Sequence, residues 1–199
     1  FDHAAASRVY RVCGFPPPSS GAVAMGQILG LLQHTPASLM PSPTAAVDDA
    51  PDPRWLHLYT EASRLAFADR AQYVADPDFA PAPSGEWQSL LAPAYLRERA
   101  KLIRPTAMLQ VSPGVPVRAQ RNSLAPMPEQ PEYGTSHISI VDGQGNALAM
   151  TTTIEDAFGS RQMVKGFLLN NELTDFSFIP RDAQGDRKST RLNSSHLVL

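Results

Sequence analysis

A chain of 199 residues with a net charge of −2 and 43% hydrophobic residues suits one soluble domain or part of one. It has no apolar run long enough to cross a bilayer as a helix, and no basic patch with interleaved aromatics to suit nucleic acid. Cys13 is the lone cysteine, which excludes an internal disulfide and leaves the compartment open. That thiol is expected to pack as a small apolar residue rather than to act as a nucleophile.

In chain order, residues 7–15 have a strand-like apolar character and run into Pro16, Pro17 and Pro18. Ser19, Ser20 and Gly21 then offer N-cap groups for a helix over 22–33, with Met25, Ile28, Leu29 and Leu32 on its core face. The prolines read as a rigid turn that delivers this helix; a polyproline ligand is the lesser alternative. Residues 34–53 lack periodicity and read as a loop. Asp52 and Pro53 start the strongest helix, which carries Trp55, Leu58, Tyr59, Ala62, Leu65, Ala66 and Tyr73 at helical spacing and ends near Ala75. His57 reads as a surface or cap residue. No second His or Cys stands at ligand spacing beside it, so it is not read as a metal ligand. No metal and no cofactor is expected. A shorter helix is expected from Pro93, with Tyr95, Leu96, Ala100 and Ile103. Over residues 104–134 prolines punctuate a polar tract without a period, which is the composition of a loose linker, with an ordinary ordered loop as the alternative.

The next stretch carries the chemistry. Residues 136–141 are β-branched and alternating, residues 142–146 are dense in turn formers, and residues 147–154 return as a second strand. A turn centred on Gln144 opposes Thr135 and Thr153, with their Cβ atoms about 5 Å apart on one face. Glu155 would follow two residues on along that face. A threonine hydroxyl is a weak nucleophile unless a base takes its proton. One solution puts the threonine at a chain N-terminus, where its own α-amine is the base. Thr135 is internal, so the chain would have to be cut after Gly134. Glycine there would let the hydroxyl approach the carbonyl that it attacks. The plain alternative is that threonine-rich strands are simply good strands. Farther on, Phe158 to Arg161 reads as a turn and Gly166 to Asn170 as a short buried strand. Glu172 and Asp175 could bind an ammonium group, or merely cap and turn the chain.

Several of these stretches together resemble the γ-glutamyltranspeptidases. They are Phe15-Pro-Pro-Pro-Ser-Ser-Gly21, residues 59–79, Gly134-Thr-Ser-His-Ile-Ser-Ile-Val-Asp142, Thr151-Thr-Thr-Ile154, Phe158-Gly159 and Leu168-Leu-Asn-Asn-Glu-Leu-Thr-Asp-Phe-Ser177. They occur in the family's order, over roughly residues 8–180. The resemblance implies an α+β chain that is part of an Ntn-hydrolase αββα sandwich with antiparallel sheets. It implies one precursor cut into two subunits that form a heterodimer. Residues 1–134 would close the large subunit, with 104–134 as linker before the cut, and residues 135–185 would open the small one.

On the same resemblance, Thr135 is the nucleophile and Thr153 supports it. Asp175 and Glu172 bind the donor's α-ammonium end. The substrate is glutathione or another γ-glutamyl amide, with water or an amino acid or peptide as acceptor. The family favours the periplasm or the outside, with the cytoplasm left open. Departures qualify this. Glu155 replaces an asparagine that contacts the donor, which favours a related amidase of the cephalosporin-acylase kind. Ser136 stands where the family has threonine or a small residue. The family's Ser pair, its Gly-Gly oxyanion segment and its carboxylate-clamping arginine fall outside the chain, so the chain as written is expected to be inactive. A non-catalytic scaffold is the alternative from another class. Phe1 is no initiator methionine, so targeting information is expected to be missing. Residues 186–199 resemble a translated sequencing adapter and are set aside from the fold.

Overall fold

The computed structural model describes residues 1–5, 8–40, 51–78, 80–116, 124–125, 135–172 and 187–188. The chain falls into two compact units. One comprises Phe1–Val12, Val23–Gln72 and Pro81–Asn122, the other Cys13–Ala22, Tyr73–Ala80 and Ser123–Leu199. Among the described residues the α-helices lie between the first strand pair and the rest, and three of the four strand pairs are antiparallel, so the class is α+β as expected. Among the described residues the strands form four separate two-stranded sheets. None of the helices there is long and apolar enough to cross a membrane.

The first unit opens with β1 (Asp2–Ala5) and β2 (Arg8–Arg11), paired antiparallel with Asp2 opposite Arg11. The expected strand over 7–15 is thus short, and its partner was not foreseen because Asp2–Ala5 holds no β-branched residue. α1 (Gly21–Gln33) starts one residue before its expected limit. α2 (Pro53–Tyr73) begins where Asp52 Oδ1 accepts the Arg54 N–H at 2.8 Å, an aspartate cap on a proline-led first turn. It stops at Tyr73, short of Ala75. A 3₁₀ turn (Trp87–Leu91) leads into α3 (Pro93–Ala100).

The core of this unit joins Ile28, Leu31 and Leu32 of α1, Ala62, Leu65 and Ala66 of α2, and Leu96 and Ala100 of α3. Met25 and Leu29, expected in it, are only half-buried, and Tyr59 is exposed and stacks on Trp55 at 5.3 Å between ring centroids. Polar residues take part of the buried surface instead: Gln27, Glu61, Asp69 and Arg99 are all buried. Burying such groups is tolerable only when they find partners. Many of those partners lie in residues 104–116, the first part of the tract that reads as linker. His57 Nε2 donates to the Arg104 carbonyl at 2.7 Å, so His57 fastens that segment rather than capping a helix. Residues 117–123 and 126–134 lie outside the described residues.

In the second unit Cys13 is exposed, against the expectation that it packs; it sits in an irregular stretch before the prolines, with no element to cover it. β4 (Ser136–Val141) pairs antiparallel with β5 (Ala147–Thr152) from Ser136 opposite Thr152 to Val141 opposite Ala147. β6 (Met163–Val164) pairs with β7 (Phe167–Leu168). The strand expected at 166–170 therefore exists but is not buried: Phe167 is 73% exposed. β3 (Leu124–Ala125) pairs in parallel with β8 (Arg187–Lys188), which draws two residues of the segment set aside above into a ladder.

Candidate active site

The β4–β5 hairpin closes on a loop whose residues determine its register. The Asp142 N–H donates to the Asn146 carbonyl and the Gly145 N–H donates to the Asp142 carbonyl, both at 3.0 Å. Gly145 has φ 85°, a left-handed conformation that glycine adopts without steric cost and that a three-residue hairpin loop requires. Asp142 Oδ1 accepts the N–H groups of Gln144 and Asn146, and Oδ2 accepts the Asn146 side-chain amide at 2.7 Å. Those bonds, the Asn146 side chain first, hold the Asp142 carboxyl below its ordinary pKa.

The register that results is the one the turn composition implies. Ser136 and Thr152 are the last paired residues, and one more step along the ladder opposes Thr135 to Thr153. Thr135 is exposed. Thr153 is half-buried, and its Oγ1 accepts the Glu155 N–H at 2.8 Å. That bond occupies a lone pair and leaves the Thr153 hydroxyl proton available to a neighbouring oxygen.

Glu155 departs from the expected geometry. The strand ends at Thr152, and Glu155 has φ 73° in a bend, so the alternation that would align it with Thr153 does not reach it. The bend is stitched to a later segment. The Asp156 N–H donates to Asn171 Oδ1 at 3.0 Å and the Asn171 N–H to the Ile154 carbonyl at 3.3 Å. The Glu172 N–H donates in turn to Asn170 Oδ1 at 3.1 Å. Residues 153–156 and 170–172 are thereby brought together, and Glu172 with them. Gly159, buried at φ 51°, permits the crossing between them. A Cβ there would lie 2.1 Å from the Leu169 carbonyl oxygen, which accepts the Ser160 N–H at 2.9 Å. Gly134 and Asp175 lie outside the described residues.

Sequence reading passed over one feature of this face. Alternation from Thr135 puts His137 and Ser139 on the same side, opposite Thr151 and Ala149. The His137 ring bridges two hydroxyls, with Nδ1 2.9 Å from Thr151 Oγ1 and Nε2 3.1 Å from Ser139 Oγ. The signal was present in the period-two spacing of Thr135, His137 and Ser139, but attention to the threonines hid it. The described residues hold no group of His, Cys, Asp and Glu suited to a metal ion. What the face offers is hydroxyls and an imidazole bonded to two of them.

Residues 3–195 match the family described as Gamma-glutamyltranspeptidase. The match takes in most of 186–199, the segment set aside as an adapter. Over 167 residues the chain is 40% identical to a glutathione hydrolase proenzyme of Pseudomonas aeruginosa, which covers 83% of this chain and 26% of that protein. Over 194 residues it is 36% identical to a glutathione hydrolase proenzyme of Bacillus subtilis, covering 94% and 31%. The chain thus spans well under half the length of these curated relatives. In fold it is similar to the cephalosporin acylase of Bacillus halodurans, with a TM-score of 0.53 and 24% identity over 89% of this chain and 28% of that one. With a family match over nearly its whole length, and relatives of that kind, the chain belongs to the γ-glutamyltranspeptidase family.

Proposed function

We propose that this chain is part of a precursor that cuts itself between Gly134 and Thr135 and becomes an N-terminal threonine acyltransferase acting on γ-glutamyl amides such as glutathione. In the precursor the Thr135 hydroxyl adds to the Gly134 carbonyl. The C–N bond breaks as the Thr135 nitrogen takes a proton, and water hydrolyses the resulting ester. Thr135 then heads a new chain with its own α-amine as base. That amine titrates near pH 8, so a useful fraction is neutral at physiological pH. The hydroxyl attacks the donor's γ-carbonyl, and the acyl group passes to water or to the amine of an amino acid or peptide. The reaction needs neither metal nor cofactor.

The observation that supports this reading is the β4–β5 register, which ends at Ser136 opposite Thr152 and, continued by one step, would set Thr135 and Thr153 side by side on one face at the open end of the hairpin. Thr153, with its proton free to donate, suits the role of holding the nucleophile. Asp175 would hold the donor's α-ammonium, with Glu172 in the same substrate pocket. The remainder of the protein would complete an αββα sandwich and the heterodimer of large and small subunits. In the full-length protein, wild type is expected to run as two bands with a new N-terminus at Thr135, and Thr135→Ala as one. A single band from wild type would leave the scaffold reading in its place.

Glu155 favours a second reading, a related acylase. A carboxylate in the bend after Thr153 would repel the α-carboxylate of a γ-glutamyl donor. Glu155→Asn is expected to raise kcat/KM for γ-glutamyl-anilide relative to that for a glutaryl-anilide, which lacks the α-amino acid group. An unchanged ratio would mean that Glu155 does not face the donor.

A further inference from the structure

We infer that residues 104–116 are a fixed clamp, held to the helical body by the buried carboxylates of Asp69 and Glu61, so that self-cleavage at Gly134 does not release them. The inference rests on the cleavage proposed above, and it divides a tract that composition alone treats as one linker.

Asp69, on α2, is 1% exposed and accepts four hydrogen bonds. Oδ2 takes Tyr95 Oη at 2.6 Å and Gln27 Nε2 at 2.8 Å, which joins α3 and α1 to α2. Oδ1 takes Arg99 Nη2 at 3.0 Å and the backbone N–H of Gly114 at 2.7 Å. The same Arg99 nitrogen donates to the Ser112 carbonyl at 3.0 Å. A second pin lies upstream. Glu61 Oε2 accepts the Met108 N–H at 2.9 Å, while Arg64 bonds both Glu61 and the Met108 carbonyl. Met108 and Val111 pack on the core, and Pro116 is fully buried. Gly114 fits where nothing larger would, since a Cβ there would lie 2.2 Å from Tyr95 Oη and 2.7 Å from Arg99 Cδ.

Releasing this segment would leave two carboxylates and a guanidinium short of partners in the interior, which is a far larger penalty than freeing an exposed loop. The covalent event at Gly134 changes none of those partners. The clamped segment therefore keeps its place when the chain is cut.

Hydrogen exchange on the full-length protein tests this. Peptides over 104–116 should exchange within about threefold of one another in the Thr135→Ala precursor and in the matured wild type. Acceleration by more than about tenfold on cleavage would overturn the clamp. A protease site engineered at 129–134 and cut in vitro gives the same comparison if wild type stays whole, so a failed cut and a failed clamp are told apart. Gly114→Ala should accelerate exchange over 104–116 in both forms, and exchange no faster than wild type would also refute the role of Asp69. If Gly114→Ala does not fold, Glu61→Gln reads the upstream pin in the same way.

Discussion

At the scale of single residues, Asp69 shows how a charge becomes structural. Its carboxylate gathers two neutral donors, a guanidinium and a backbone N–H inside the first unit. Asp69→Asn keeps the shape but leaves Arg99, 8% exposed, without its counter-charge. The expected loss is about 3 kcal/mol in chemical unfolding of the full-length protein, because one half of a buried pair is left uncompensated. An apolar double variant, Asp69→Leu with Arg99→Leu, should lose less than the sum of the two single changes, since neither charge is then stranded. Additive losses would mean that the two side chains act independently. Nothing in the hydrophobic period announces this pair. Asp69 and Arg99 fall on helix positions that a pattern of apolar residues leaves blank, and their partner segment is an irregular proline-rich tract whose composition does not tell a loose linker from a pinned strap.

At the scale of elements, the β4–β5 hairpin was the most legible part of the chain. Its strands alternate, and Asp142, Gly145 and Asn146 are what a three-residue loop demands. The turn also responds to pH in a direction that can be worked out. The Asp142 carboxyl is held below its ordinary value of 3.8, chiefly by the Asn146 side chain. Its contribution is thus present in full above that value and is lost as the pH falls through the lower folded-state pKa. The stability gap between wild type and Asp142→Asn should narrow on acidification below 3.8. A gap that is constant down to pH about 2 would mean that the carboxyl is not held low. Other elements were harder to read. β1 lacks β-branched residues. β7 looked buried because Phe167 and Leu168 are apolar, yet it is an exposed two-residue rung, since a short apolar run does not reveal whether anything covers it. Glu155 escaped because period-two reasoning assumes that a strand continues, and this one turns into a left-handed bend.

At the scale of the molecule, the chain carries the proposed nucleophile and its proposed support but spans only 26% and 31% of the length of the relatives cited. Losing one oxyanion donor alone costs on the order of 10²–10³ in rate. The 199-residue chain is therefore expected to show no turnover of γ-glutamyl-anilide above buffer, whereas the full-length protein should. Measurable turnover by the short chain would contradict the family reading of where the remaining groups reside.

The hairpin has sides of opposite character. Thr135, His137 and Thr151 share one, while Ile138, Ile140, Leu148 and Met150 are exposed on the other. Strand side chains alternate strictly, so a slip of a single residue would swap the sides and send the Thr135 hydroxyl to the oily one. The loop at the far end is what forbids that slip. A change at Asp142 or Gly145 could thus silence chemistry several rungs away while leaving every atom around Thr135 chemically intact.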